Sequence, residues 1–422
     1  MRTDRPATRP DQAVPARLRA GDGSERAGDR AGGWRFWATA YTLLILLTGT
    51  NLPTPLYRGY EQRFGFSPLV VTLIFSSYVA VLIPSLLVAG PLSDAIGRRR
   101  VLLPAVVVAA LGSLAFALAE STGWLFAARI LQGLAVGAAS GPLTAALTEL
   151  EPNGNHRKAA LVSTVAAAGG MGLGPVLAGL LAQYAPAPHV LPFLVEIVLL
   201  LPAGATMATL PAARSTSQWR PRRPEIPKAM RAVFATSGTA NFLAFAVIGL
   251  FMSLIPTYVA DLTHSTNLLL GGGAVALMLA CSAIAQLAGY GRPARSLQRV
   301  GLPLLAAGLG LLALAGVQSS LILLLVAAAP AGIGQGLVFL GGLTAVNHAA
   351  PANRRAEVLS TFYVISYCGT GLPAIGVGFL ATGIGLIAAV RYFAVVVAVL
   401  CLVVLFALAR ARHRTAATTP TD

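Results

Sequence analysis

The chain has 422 residues, 56% of them hydrophobic and only 11% charged, with mean hydropathy +0.72. Soluble domains carry about 25% charged residues, so composition excludes a water-soluble globular protein. The formal net charge of +16 would suggest nucleic acid in a soluble chain. Here most of the Lys and Arg residues fall in tails and loops on one side of the apolar runs. That is the positive-inside bias of a membrane protein, so nucleic acid is set aside and the lipid bilayer is the expected partner.

Residues 1–35 are rich in Arg, Ala, Gly and Asp and hold no apolar stretch, so they are expected to be a disordered cytoplasmic tail. Spans of about 20 apolar residues then follow at 36–57, 68–90, 101–119, 123–149, 158–183 and 189–210. The segment 211–230, rich in Pro and Arg, is the longest soluble break and reads as a cytoplasmic linker. Six more spans follow at 231–259, 268–290, 300–317, 320–349, 355–382 and 385–409, before a short tail at 411–422. An even number of spans with basic residues at both ends puts both termini in the cytoplasm of a cell-membrane protein.

The two sets of six repeat each other, as the halves of secondary transporters often do. Leu52-Pro53-Thr54 matches Ile255-Pro256-Thr257, and Gln132-Gly133-Leu134 matches Gln335-Gly336-Leu337. Arg100-Val101-Leu102-Leu103-Pro104 matches Arg299-Val300-Gly301-Leu302-Pro303. Arg157-Lys158-Ala159 with Ser163-Thr164 matches Arg354-Arg355-Ala356 with Ser360-Thr361. The copies differ where charge is concerned: Asp94 corresponds to Pro293, and Arg129 to Gly332. The first half is therefore expected to carry the coupling chemistry. The fold class that results is an all-α membrane protein, with 12 transmembrane helices in two pseudo-symmetric bundles at 36–210 and 231–410.

An ionisable side chain at the centre of a bilayer costs at least ~2.5–3.5 kcal/mol, which singles out two residues. Arg129 lies within span 4 and shares a helix face with Gln132. Glu196 lies about 10 Å into span 6 at the helical rise, where desolvation penalises a charged carboxylate and suits it to bind and release a proton. A structural role remains open for each: snorkelling for Arg129, and an Arg or backbone partner for Glu196. Glu149 and Glu151, ending span 4, are expected to pair with the arginines of the 98–100 turn. Cys281, Cys368 and Cys401 lie in apolar runs without metal-ligand spacing, so neither metal nor cofactor is expected.

The turn between spans 2 and 3 carries Gly90, Asp94, Gly97, Arg98, Arg99 and Arg100, in the order Gly-x-Leu-x-Asp-x-x-Gly-Arg-Arg. It resembles the corresponding loop of the major facilitator superfamily, whose members move small solutes across membranes. Arg129 followed by Gln132-Gly133 is similar to that family's span-4 motif. Gly170, Gly174, Pro175 and Gly179 in span 5 resemble the motif of its drug:proton antiporters, with Ala178 departing from it.

The resemblance implies alternating access, with Asp94, Arg98 and Glu149 as a conformational switch engaging the start of span 11, near Ala356. It also implies a cavity between the halves, lined by spans 1, 4, 7 and 10, where Asn51, Gln132, Asn241, Phe242, Phe245, Gln335 and Phe339 are the candidates. The expectation is a proton-coupled exporter of small lipophilic molecules, acting as a monomer with a small-molecule substrate and protons as partners. An importer of a metabolite, a transporter-like sensor and a membrane-embedded enzyme are the other readings. The enzyme lacks a metal cluster, an Asp/His pair or a phosphate-cradling loop in the sequence.

Overall fold

The computed structural model describes residues 22–210, 226–351 and 354–416. Most of the expected linker and the ends of both tails lie outside these residues. Within them every regular element is helical.

The first half comprises α1 (Asp22–Asn51), α2 (Tyr57–Phe64), α3 (Pro68–Ile96), α4 (Arg98–Ala117), α5 (Thr122–Leu150), α6 (His156–Tyr184) and α7 (Leu191–Ala208). The second comprises α8 (Arg231–Ser253), α9 (Ile255–Thr263), α10 (Leu268–Gly289), α11 (Ala294–Gln318), α12 (Leu321–Ala349), α13 (Arg355–Ile384) and α14 (Leu386–Ala416). Eleven of these are long and apolar enough to cross a membrane, and α1 is the twelfth long helix, packed against α5, α6 and α7. Apolar side chains such as Leu201 and Ile322 stand 66% and 76% exposed. In water that would be a liability; against acyl chains it is the expected outer surface.

Each half packs by the same rules. In the first, α5 sits against α3 and α4, α1 against α5, α6 and α7, and α4 against α7. In the second, α12 sits against α10 and α11, α8 against α12, α13 and α14, and α11 against α14. The Gln-Gly repeat marks matching close approaches in the two halves. A Cβ on Gly133 would lie 2.4 Å from the carbonyl oxygen of Tyr78, and one on Gly336 would lie 2.3 Å from that of Ser282. The halves meet through α6 with α10 and α3 with α13, two contacts that exchange under the pseudo-two-fold. The second-half core continues across this seam to Phe75 and Val79 of α3.

Helix limits differ from the expected spans at several points, among them α11, which begins at Ala294, and α14, which runs on to Ala416 in the segment read as the C-terminal tail. Spans 1 and 7 are not continuous. Pro53 lacks an N–H and its ring crowds the preceding turn, so α1 stops at Asn51, a 3-10 turn covers Thr54–Leu56, and α2 begins afterwards. Pro256 follows the equivalent break between α8 and α9. The turn expected over 91–100 is shorter: α3 runs through Gly90 and Pro91 to Ile96, and α4 restarts at Arg98, leaving Gly97 at φ 97° as the whole reversal. Helices continue past the apolar run because a helical backbone satisfies its own polar groups wherever the bilayer ends. Finally, α1 begins at Asp22, inside the segment read as a tail, while residues 1–21 lie outside the described ones.

Candidate transport site

The break after Asn51 makes the first part of the site. The last carbonyls of a helix have no intrahelical partner, and Pro53 offers no N–H to Gly49. Two side chains of α5 reach these carbonyls, that of Gly49 also accepting from the Leu52 amide at 3.2 Å. Arg129 Nη1 donates to the Thr50 carbonyl at 2.6 Å, and Gln132 Nε2 donates to the Gly49 carbonyl at 3.2 Å. A cation at a helix C-terminus is also the favourable sign for the helix dipole. Arg129 Nε donates to Tyr57 Oη at 2.6 Å, from beyond the break, and Nη1 also reaches Gln132 Oε1 at 3.0 Å.

Arg129 is 0% exposed, so it does not snorkel. The rings of Tyr57, Phe75, Tyr78 and Phe116 surround its guanidinium at 5.4, 5.8, 5.6 and 5.8 Å, close enough for their faces to stabilise the cation. Its Nη2 is buried with no hydrogen-bond partner among the described residues. Among the described residues no carboxylate lies within ion-pair distance of it.

Glu196 of α7 is 2% exposed and lies on the other side of the same α1 segment. Ser113 Oγ of α4 donates to its Oε2. Its Oε1 fills the space that a side chain at position 49 would need: a Cβ on Gly49 would sit 1.5 Å away. Arg129 and Glu196 are therefore brought to one place, around Gly49 and Thr50, without pairing. Sequence reasoning missed Gly49, Tyr57 and Ser113; the proline after Asn51 was the available signal for freed carbonyls.

The second half repeats the packing but not the charge. Gln335, opposite Gln132 in the repeat, accepts from Ser282 Oγ at 2.5 Å, buried between α10 and α12. Gly332 stands where the first half has Arg129, and a Cβ on it would lie 2.1 Å from the Met278 carbonyl of α10. Phe245 of α8 meets Phe339 of α12 at 5.4 Å and Tyr367 of α13 at 6.4 Å, while Phe339 meets Tyr363 at 6.4 Å. All four are half-buried. Tyr363 and Tyr367 belong to span 11 and were not among the expected lining residues. Asn241 donates to Ser366 Oγ, and its Oδ1 is buried without a partner among the described residues. The backbone of Phe242 packs against Gly369, whereas Asn51 donates back to the Leu47 carbonyl of its own helix at 2.8 Å.

The expected switch charges gather at the α3–α4 reversal. Arg98 binds Asp94 at 2.6 Å, Glu149 at 2.8 Å and Ser93 Oγ at 2.9 Å. Arg99 and Arg100 are exposed, and Gly90 has open space where a Cβ would be. Glu151 departs from expectation. It closes the α5–α6 turn by accepting from the Asn153 and Asn155 amides and pairs with Lys158 at 3.0 Å, not with the 98–100 arginines. Those amides, nearest in the chain, reach it first.

The span-5 motif serves two interfaces. A Cβ on Gly170 or Gly174 would each lie 2.4 Å from an α1 carbonyl, of Leu44 and Thr48 respectively. On the other side, Gly179 faces Leu268 of α10, and Pro175 offers its carbonyl to the closely approaching Gly272.

Residues 37–306 match the Major Facilitator Superfamily, well over half of the chain. The chain belongs to that family. It is a transporter and not an enzyme by that membership. A relative from Escherichia coli, named provisionally as multidrug resistance protein MdtD, is 33% identical over 181 residues, covering 42% of this chain and 38% of the relative. The same protein from Escherichia fergusonii is 32% identical over the same shares. This chain thus matches little more than a third of the length of these curated relatives. Among solved structures, a bacterial homologue of the human lysosomal transporter Spinster, inward-facing and occupied, superposes with TM-score 0.69 at 15% identity, over 90% of this chain and 97% of that one. The nucleoside transporter NupG superposes at 0.68 with 14% identity, over 89% and 98%. At these identities the two structures speak to the fold.

Proposed function

We propose that this chain is a proton-coupled exporter of small lipophilic molecules, working by alternating access in the cell membrane with both termini in the cytoplasm. The observation that carries the reading is the unpaired burial of Arg129 and Glu196 on either side of the Gly49–Thr50 segment. Burying an isolated charge is costly. Glu196, enclosed by Gly49 and Ser113, has no cation in ion-pair range among the described residues and is suited to take up a proton. Arg129, with one buried nitrogen unsatisfied, is left to receive whatever group enters beside it. The half-buried rings of Phe245, Phe339, Tyr363 and Tyr367 suit a weakly polar, ring-bearing substrate. The similarity to MdtD favours export, and the two bundles rocking about α3/α13 and α6/α10 supply the access change. The chain is taken to work as a monomer, without a cofactor.

The test is purified protein in liposomes enclosing a pH-sensitive dye. A proton gradient is imposed and lipophilic cations, neutral antibiotics, sugars and amino acids are added in turn. Proton flux evoked by one lipophilic class and lost in Glu196→Gln is the expected result. Flux evoked only by sugars or amino acids, or flux undiminished in Glu196→Gln, would overturn it.

A further inference from the structure

Tyr57 and Arg58 are neighbours on α2 and point to different halves of the protein. Tyr57, 0% exposed, holds Arg129 Nε. Arg58 Nη2 reaches across the seam to Asp261 Oδ1 of α9 at 3.5 Å. Glu61, three residues on and so on the same helix face as Arg58, lies half-buried at the same contact between α2 and α9. The other arm of Arg58, Nη1, is buried with no hydrogen-bond partner among the described residues. One cation thus faces two carboxylates, one from each half, at the membrane face opposite the Arg98–Arg100 turn.

Resting on the alternating-access reading above, we propose that Arg58, Glu61 and Asp261 form a proton-operated latch that holds the halves together at this face. With Glu61 protonated, Arg58 and Asp261 make a balanced pair across the seam. With Glu61 ionised, two carboxylates share one guanidinium and the closed face carries an excess negative charge.

The direction follows from the surroundings of Glu61. Burial, then Asp261, push its carboxyl up to about 7 in the closed arrangement, and Arg58 opposes them. Parting the halves removes Asp261 and admits water, returning Glu61 toward the ordinary ~4.3. The proton affinity is higher in the closed form. Its contribution to closure is therefore complete below ~4.3 and is lost as pH rises through about 7. The closed-to-open ratio changes by at most about tenfold per pH unit within that window.

Other titratable groups are near but differently placed. His189, on the α6–α7 connection, packs edge-on to Tyr60 at 4.9 Å within the same half, and burial with Arg63 holds it below its ordinary range. His264 follows α9 and is exposed, as is Arg63 at the end of α2. The 3-10 turn Thr54–Leu56 and the facing end of α3 carry no charged side chain. Because α2 also holds Arg129 through Tyr57, opening the latch moves a contact of the buried cation.

The test is a distance measurement between spin labels at Gln62→Cys on α2 and Thr266→Cys beyond α9, in a background of Cys281→Ala, Cys368→Ala and Cys401→Ala. In nanodiscs between pH ~5.5 and ~8.5, spanning the high side of the window, the short distance should dominate at the acid end. A longer one should grow as pH rises. Glu61→Gln should keep the short distance throughout, and Asp261→Asn should lengthen it even at the acid end. A pH-independent distribution in the parent, or an unchanged pH response in Glu61→Gln, overturns the latch. If Glu61→Gln does not fold, a short distance and unaltered response in Asp261→Asn does so instead. The liposome flux assay decides the transport reading separately, since the distances need no substrate.

Discussion

Glu196 occupies the side-chain space of Gly49: a Cβ on the glycine would stand 1.5 Å from its Oε1. The carboxylate is thus placed by what α1 lacks as well as by Ser113. Gly49→Ala should drive Glu196 off Ser113, and with it the proton-carrying geometry. Overpacking of this kind costs about 1–3 kcal/mol, so a modest fall in thermal stability should accompany a drop in coupled flux of at least ~10-fold. Flux at the parental level in the liposome assay would show that Glu196 need not sit there.

Arg129 is held by a fork, with Nε on Tyr57 and Nη1 on Thr50 and Gln132. Lysine keeps the charge but cannot hold both sides at once. Arg129→Lys should therefore retain insertion and folding yet lose most transport. Tyr57→Phe removes one acceptor of a charged donor, worth about 1.5–3 kcal/mol. It should reduce flux less than Arg129→Lys does. Equal activity of Arg129→Lys and the parent would mean that charge alone suffices.

Much of this was legible from the chain, for reasons that also mark the boundary. Long apolar runs bounded by arginine locate helices because hydrophobic thickness is a property of composition. The repeat located the halves because Pro53 and Pro256, or Gln132-Gly133 and Gln335-Gly336, act through local backbone geometry. Continuity of spans 1 and 7 was misread because hydropathy does not register a lost N–H at Pro53. The partners Gly49, Ser113 and Glu196 come from three helices far apart in sequence, and a glycine whose role is to leave room carries no chemical label. Tyr363 and Tyr367 were passed over because the cavity was expected to be lined by spans 1, 4, 7 and 10, although their i, i+4 spacing puts both on one face of span 11.

Asp94 binds Arg98 at 2.6 Å, and Arg98 binds Glu149, yet the two carboxylate side chains are 57% and 56% exposed. Exposed pairs contribute about 0–1 kcal/mol, so stability gives little reason for them. Asp94→Asn should express and melt as the parent does while cutting transport by at least ~10-fold, because its charge serves the change of state and not the fold. A normally expressed variant with full flux would remove the α3–α4 charges from the cycle.

Gly272 and Gly273 are adjacent on α10 and offer a paired test of the seam. A Cβ on Gly272 would lie 2.4 Å from the Pro175 carbonyl of α6, whereas one on Gly273 meets nothing within 4 Å. Pro175 and Gly179 of α6 thus bring its backbone against α10 at a point where bulk must push the halves apart. Gly272→Val should shift the population away from this arrangement and lower flux several-fold or more, at a stability cost of about 1–3 kcal/mol. Gly273→Ala should be silent, or slightly stabilising, since alanine is favoured over glycine within a helix by about 0.8–1 kcal/mol. Measuring both by liposome flux and thermal melting separates close packing from simple helix propensity. Equal behaviour of the two would mean that α6 and α10 can part at Pro175 without consequence for transport.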